Sequence, residues 1–165
     1  MGMFDRPYRP RVSLKMTPLE KVIEIAALAG MVCNLIIFAY YWPKLPEAAA
    51  GVSGLSINQA NIFIIVTMLP VIVYLGATLF GMFPKWFNYP VRITDTNAPR
   101  QYRLAANMMR YMKAEVTLCM LIIEWVFVQI GMGEDMSFSP FFIPIFIGML
   151  IVTLAYFLFE MFKQK

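Results

Sequence analysis

Residues 83–125, F-P-K-W-F-N-Y-P-V-R-I-T-D-T-N-A-P-R-Q-Y-R-L-A-A-N-M-M-R-Y-M-K-A-E-V-T-L-C-M-L-I-I-E-W, decide how this chain folds. They form the longest polar interval between apolar segments. The interval holds Lys85, Arg92, Arg100, Arg103, Arg110 and Lys113, and it ends on Glu124, a carboxylate inside a hydrophobic run. Thr96 or Asn97 is placed to cap a helix with Pro99 in its first turn. From there, helical spacing puts Arg100, Arg103, Asn107 and Arg110 on one face and Leu104, Met108 and Tyr111 on another. The pattern predicts an amphipathic helix that continues without a break into an apolar span.

Working outward, the composition explains what kind of interior such a helix enters. The chain has 165 residues, a one-domain length, and 60% of them are hydrophobic. A soluble domain uses about 45–50% apolar residues, so a bilayer is the expected solvent. There is no histidine, which excludes His-ligated haem, His-based zinc sites and Ser-His or Cys-His nucleophile pairs. Cys33 and Cys119 both lie in apolar runs and read as small buried hydrophobes, not as a disulfide or a metal pair.

The fold expected is all-α: an integral membrane four-helix bundle, one domain over residues 22–162. About 20 residues at 1.5 Å each cross a hydrocarbon core of roughly 30 Å. Runs of that size occupy about 22–42, 61–83, 114–132 and 141–162. Residues 1–21 are polar and proline-broken, expected to be retained, and close on a helix start, with Thr17 as N-cap, Pro18 at the first position and Glu20 completing a capping box. In the first span, Ala26 and Gly30 offer a small face, and Tyr40, Tyr41 and Trp42 form an interfacial belt. Residues 44–60 make a short Gly/Ser-bearing loop. Pro70 interrupts the second span and frees a carbonyl one turn earlier. Loop 84–113 joins the two halves, with Trp86 and Tyr89 at headgroup level. The chain closes on the tail 163–165.

Of the fourteen Lys and Arg residues, thirteen fall in the N-terminal segment, the central loop or the tail; only Lys44 falls in the other two loops. That asymmetry predicts both termini in the cytoplasm of a bacterial inner membrane. Anionic lipid headgroups then account for the basic residues, with Arg92, Arg100, Arg103, Arg110, Trp86 and Tyr89 as the candidate interaction or lipid face. No nucleic-acid recognition motif accompanies them.

Glu124 is the sharpest chemical signal. It sits about 12 Å from either end of its span, where a charge costs at least ~2.5–3.5 kcal/mol. It should therefore face the bundle, protonated or hydrogen-bonded. Asn34, Tyr74 and Thr153 fall at the same depth and complete a candidate intramembrane polar cluster. Two readings stand: a proton- or cation-linked site, or a neutral acid that ties helices together. Glu24 and Glu115, near Lys21, Lys113 and Arg110, read as interfacial charges that pair. Glu134 and Asp135 read as solvated loop carboxylates. Catalytic motifs are absent, and neither metal nor cofactor is expected.

Tyr41-Trp-Pro-Lys-Leu-Pro46, Phe87-Asn-Tyr-Pro-Val-Arg-Ile-Thr94, Asn97, Arg100-Gln-Tyr-Arg-Leu104 and Glu124-Trp125 resemble a bacterial membrane family, a domain of unknown function related to SdpI-type immunity and signalling proteins. The resemblance covers roughly residues 20–130. Family members carry a histidine and a Gly-x-x-Asp element after the Leu-Pro turn; residues 47–60 here have neither. The resemblance thus implies a member adapted to another task, such as an accessory subunit docked on a larger membrane complex. Together these features predict a non-catalytic membrane protein that binds a protein partner. The alternative is a small proton- or cation-coupled transporter using Glu124.

Overall fold

The computed structural model describes residues 9–44, 59–137 and 139–163. The loop whose missing family motif was noted above lies outside the described residues. Four helices follow in order: α1 (Pro18–Tyr41), α2 (Gln59–Met82), α3 (Ala98–Gly131) and α4 (Phe142–Phe162). All four are long and apolar enough to cross a membrane. Their bounds differ from the expected spans by a few residues, and α3 joins the amphipathic segment and the third span in a single rod of 34 residues.

α1 begins where its capping residues dictate. Glu20 N–H donates to Thr17 Oγ1 at 3.3 Å, and Thr17 N–H donates back to Glu20 Oε2 at 2.8 Å, so two otherwise orphaned donors are satisfied reciprocally. The start of α3 differs from expectation. Asn97 occupies the N-cap position but makes no side-chain capping bond. Its amide instead accepts from Thr94 N–H at 2.8 Å and donates to the Arg92 carbonyl at 2.9 Å, which folds the turn leading into the helix.

α3 is the hub. It packs against α1, α2 and α4, whereas among the described residues α4 packs against no other helix. The bundle is thus a triangle of α1, α2 and α3 with α4 laid against the outer side of α3. Matching contacts give the directions. Gly30 and Asn34 of α1 meet Thr117, and Tyr41 meets Trp125, so α1 and α3 run parallel. Thr78 meets Lys113 and Thr67 meets Glu124, so α2 runs antiparallel to α3. We call the end where α1 and α3 begin the basic end.

The inward faces are small and polar. α1 buries Glu20, Ala27, Gly30 and Asn34, at spacings of three, four and seven that keep them on one stripe. The small pair facing α3 is therefore Ala27 and Gly30; Ala26 is only half-buried. The large apolar side chains of α1 (Val22, Ile25, Leu28, Ile36) point outward, and so does Cys33, contrary to its reading as a buried hydrophobe; Cys119 is half-buried. Before α1, residues 9–16 have no regular secondary structure, with Val12 and Leu14 half-buried between exposed Arg11, Ser13 and Lys15. Arg9 anchors this strap by donating to the carbonyls of Lys85 and Phe87.

Gly30 sets how closely α1 approaches α3. A Cβ there would meet Thr117 Oγ1 at 3.0 Å and Leu118 Cδ2 at 3.2 Å. Replacing Gly30 with Leu should push the helices apart and cost about 1–3 kcal/mol, the usual range for overpacking. A detergent-micelle thermal denaturation series should show a lower Tm for Gly30→Leu, with Gly76→Leu, whose Cβ would meet nothing within 4 Å, unchanged.

Candidate functional site

The faces that α1, α2 and α3 turn toward one another carry a ladder of polar side chains. Its rungs are spaced by the helix repeat: Lys113, Thr117 and Glu124 of α3 lie four and seven residues apart, one stripe of the rod.

At the basic end, Glu20 is almost fully buried and accepts from Asn107 Nδ2 at 3.0 Å. Arg103 Nε and Arg110 Nη1 approach its carboxylate at 3.9 and 4.0 Å. Arg110 also donates to Asn107 Oδ1 at 2.6 Å, and Arg103 to the Lys15 carbonyl at 3.3 Å, which ties the strap to α3.

One turn deeper, Lys113 is 2% exposed and pairs with Glu24 of α1, whose side chain keeps 24% exposure. The ammonium donates to Glu24 Oε1 and to Thr78 Oγ1 of α2, the latter at 2.8 Å, and lies 4.6 Å from the centre of the Tyr74 ring. All three helices therefore meet on one cation. Arg110 Nε stands 3.8 Å from Glu24 Oε2. Beside this rung a cavity of about 270 Å³ opens between the strap, α2 and α3, lined by Leu14, Met82 and Met109 as well as Glu24, Arg110 and Lys113.

The third rung is Asn34, fully buried, which donates to the carbonyls of Gly30 at 2.7 Å and Thr117 at 3.1 Å. The fourth is Glu124. It is 0% exposed, and its Oε1 lies 2.6 Å from Thr67 Oγ1 of α2. Asn34 Oδ1 and Glu124 Oε2 are buried without a hydrogen-bond partner among the described residues.

The four residues expected to cluster are therefore distributed. Glu124 bonds Thr67, Asn34 bonds backbone, Tyr74 donates to Glu24 at 3.4 Å, and Thr153 bonds Glu115 on the opposite side of α3. Asn34 and Tyr74 share the seam with Glu124 but not its depth: Asn34 meets Thr117, seven residues before Glu124, and Tyr74 meets Glu24 and Lys113, nearer the basic end. Glu24 does pair with Lys113 and Arg110, across helices, whereas Glu115 has no such partner and turns to Thr153 of α4.

The expected basic face divides in the same way. Arg103 and Arg110 point into the ladder, and Arg100 pins α4 through Glu160 at 3.1 Å. Tyr89 donates to the Pro84 carbonyl at 2.7 Å and packs beside Tyr102; burial pushes its phenol well above the usual tyrosine range, so it stays a neutral donor. Arg92 and Trp86 remain outward, the latter 71% exposed and stacked on Phe83.

Thr67, Thr78 and Thr117 are the site residues that the sequence does not single out; Asn107 and Lys113 stand out in it, but not as the groups that meet Glu20 and Glu24 across helices. Among the described residues no three carboxylate or thiol side chains gather to hold a metal ion. No family model, curated protein or solved structure matches this chain.

Removing one partner of a buried ion pair strands the other charge. Lys113→Met should cost about 3 kcal/mol, toward the lower end for buried pairs because Glu24 keeps some exposure. The double variant Lys113→Met/Glu24→Gln should recover much of that loss. Denaturant titration of the four chains of this cycle measures the coupling directly.

Proposed function

We propose that this chain is a non-catalytic membrane protein that docks a protein partner, as an accessory or regulatory subunit of a larger membrane complex or as an immunity or signalling module. The observation that carries the reading is the isolation of α4. It is fixed to α3 along one line, by Arg100–Glu160, by Gln101 Nε2 donating to the Met161 carbonyl at 3.0 Å, by Tyr111 against Phe157 and by Glu115–Thr153. Elsewhere on α4, Ile145 and Val152 are each 68% exposed and open space lies over Gly148. Polar contacts at both ends of this line hold the helix against the rod. Small residues on an open helix face permit the close approach on which helix association in lipid depends.

The same proposal puts the protein in a bacterial cytoplasmic membrane with the basic end toward the cytoplasm. The distribution of Lys and Arg supports this orientation, and anionic headgroups would then meet Arg92 and Trp86. A photo-crosslinking residue at Ile151 on α4 should give one discrete adduct in the native membrane, and the same residue at Ile36 on α1 should give none. Equal lipid-only labelling at both positions, with the chain extracted alone under mild conditions, would overturn the reading.

A second reading is favoured by Glu124 itself, a fully buried acid with one oxygen unpartnered. Under it the chain is a small proton- or cation-coupled transporter. Proteoliposomes should then show a pH-driven flux that Glu124→Gln abolishes while leaving the Tm within a few degrees; absence of flux in the wild-type chain rules it out.

A further inference from the structure

We infer that Glu124 is a proton-binding site: its acid hydrogen is donated to Thr67, and Thr67 in turn donates to the carbonyl of Phe63. Counting hydrogens leads there. Thr67 Oγ1 lies 2.6 Å from Glu124 Oε1 and 2.9 Å from the Phe63 carbonyl, and a hydroxyl has one hydrogen to give. With Glu124 ionised, two acceptors compete for that hydrogen, and a buried carboxylate is left with one donor at most across its two oxygens. With Glu124 protonated on Oε1, each contact has its own hydrogen. The oxygen left over, Oε2, becomes a neutral carbonyl with an unfilled lone pair, a far smaller burden than half of an unpaired anion.

Among the described residues no neighbouring charge offsets an ionised Glu124. On α3 the nearest cation, Lys113, is eleven residues back, about 16 Å along the axis, and is already committed to Glu24. Glu115, nine residues back on α3, faces α4. α1 carries Glu20, Lys21 and Glu24, all within its first turns, and turns Asn34 into the seam at the neighbouring rung; Lys44, just past its far end, lays its ammonium over the outward ring of Tyr40. α2 has no charged residue; it supplies Thr67 and, farther toward the basic end, Tyr74. α4 has Glu160 alone, beside Arg100 and Lys163 at the basic end. Beyond α3 the charged groups of the loop are Glu134 and Asp135, which are acids.

The site therefore takes a proton. Its hydrogen bridges two helices, so release of the proton requires α2 and α3 to part at Thr67. Pro70 lies three residues farther along α2, fully buried and without an N–H for the helix ladder. This inference is independent of whether a partner docks on α4.

Infrared difference spectroscopy on the intact chain in lipid nanodiscs tests it. At neutral pH the wild type should show the carbonyl stretch of a protonated carboxylic acid that is lost in Glu124→Gln. In Thr67→Val, close in volume but without the hydroxyl, the same band should persist and move to higher frequency, because the acid has lost its acceptor. Loss of a carboxylate band instead of an acid band in Glu124→Gln would overturn the inference, as would an acid band that Thr67→Val leaves in place. The valine variant alone decides the matter should the glutamine variant fail to fold.

Discussion

The structure depends on the ion pair between Lys113 and Glu24. Its ammonium reaches a carboxylate on α1, a hydroxyl on α2 and the face of Tyr74, so a single cation fixes three helices in register. The apolar packing around it cannot do this. Leu, Ile and Val side chains gain little by facing one another when lipid tails are equally apolar, and a helix sliding by one turn would lose almost nothing. A charge buried at 2% exposure has only one arrangement that satisfies it, and a slip of one turn on α1 would carry Glu24 about 5 Å away.

From that pin the rest of the triangle follows the same logic with weaker groups. Gly30 lets α1 come close enough for Asn34 to reach the Thr117 carbonyl, and Thr67 then meets Glu124 from α2. The surface is the inverse of a soluble protein's. Fully buried side chains include Gln101, Lys113, Glu124, Asn34, Thr67 and Thr117, whereas Ile72, Ile145 and Val152 stand in the open. Such a distribution suits a hydrocarbon solvent, in which an outward Ile costs nothing and polar groups turn inward toward one another.

The helices were legible because length, hydropathy and capping chemistry are local. Thr17, Pro18 and Glu20 start α1 where expected, and Arg100 through Glu124 read as one rod because no breaker interrupts them. The ladder was legible only in part. Glu124 stands out in any reading of depth, but its partner Thr67 is an ordinary residue in an apolar helix, chosen by the rotation of α2 about its axis. That rotation is set by contacts distant in sequence, Thr78 with Lys113 and Thr67 with Glu124. The same reason separates Thr153 from Glu124: α4 packs on the far side of α3, a choice made by Arg100–Glu160 and Gln101–Met161 at the helix ends. Asn97 misled for a different reason. Its side chain had two uses, capping α3 or closing the turn from Arg92 to Thr94, and the turn took it.

The ladder also changes character along its length. At the basic end acids and bases come in matched sets: Glu20 and Glu24 against Arg103, Arg110 and Lys113. Farther along, only hydroxyls, an amide and one acid remain. Charge is supportable near an end, where water and partial exposure screen it, and Glu24 and Arg110 each keep some exposure. At the depth of Glu124 neither screening nor a counter-charge is present, so the acid is accommodated by neutralisation. One rod therefore holds its neighbours by two distinct devices, an ion pair where solvent is near and a shared proton where it is not. The two differ in what can undo them. Salt screens the more exposed contact of Arg103 with Glu20 and reaches the buried Lys113–Glu24 pair far less, whereas removal of one proton acts at Glu124 and leaves that pair standing.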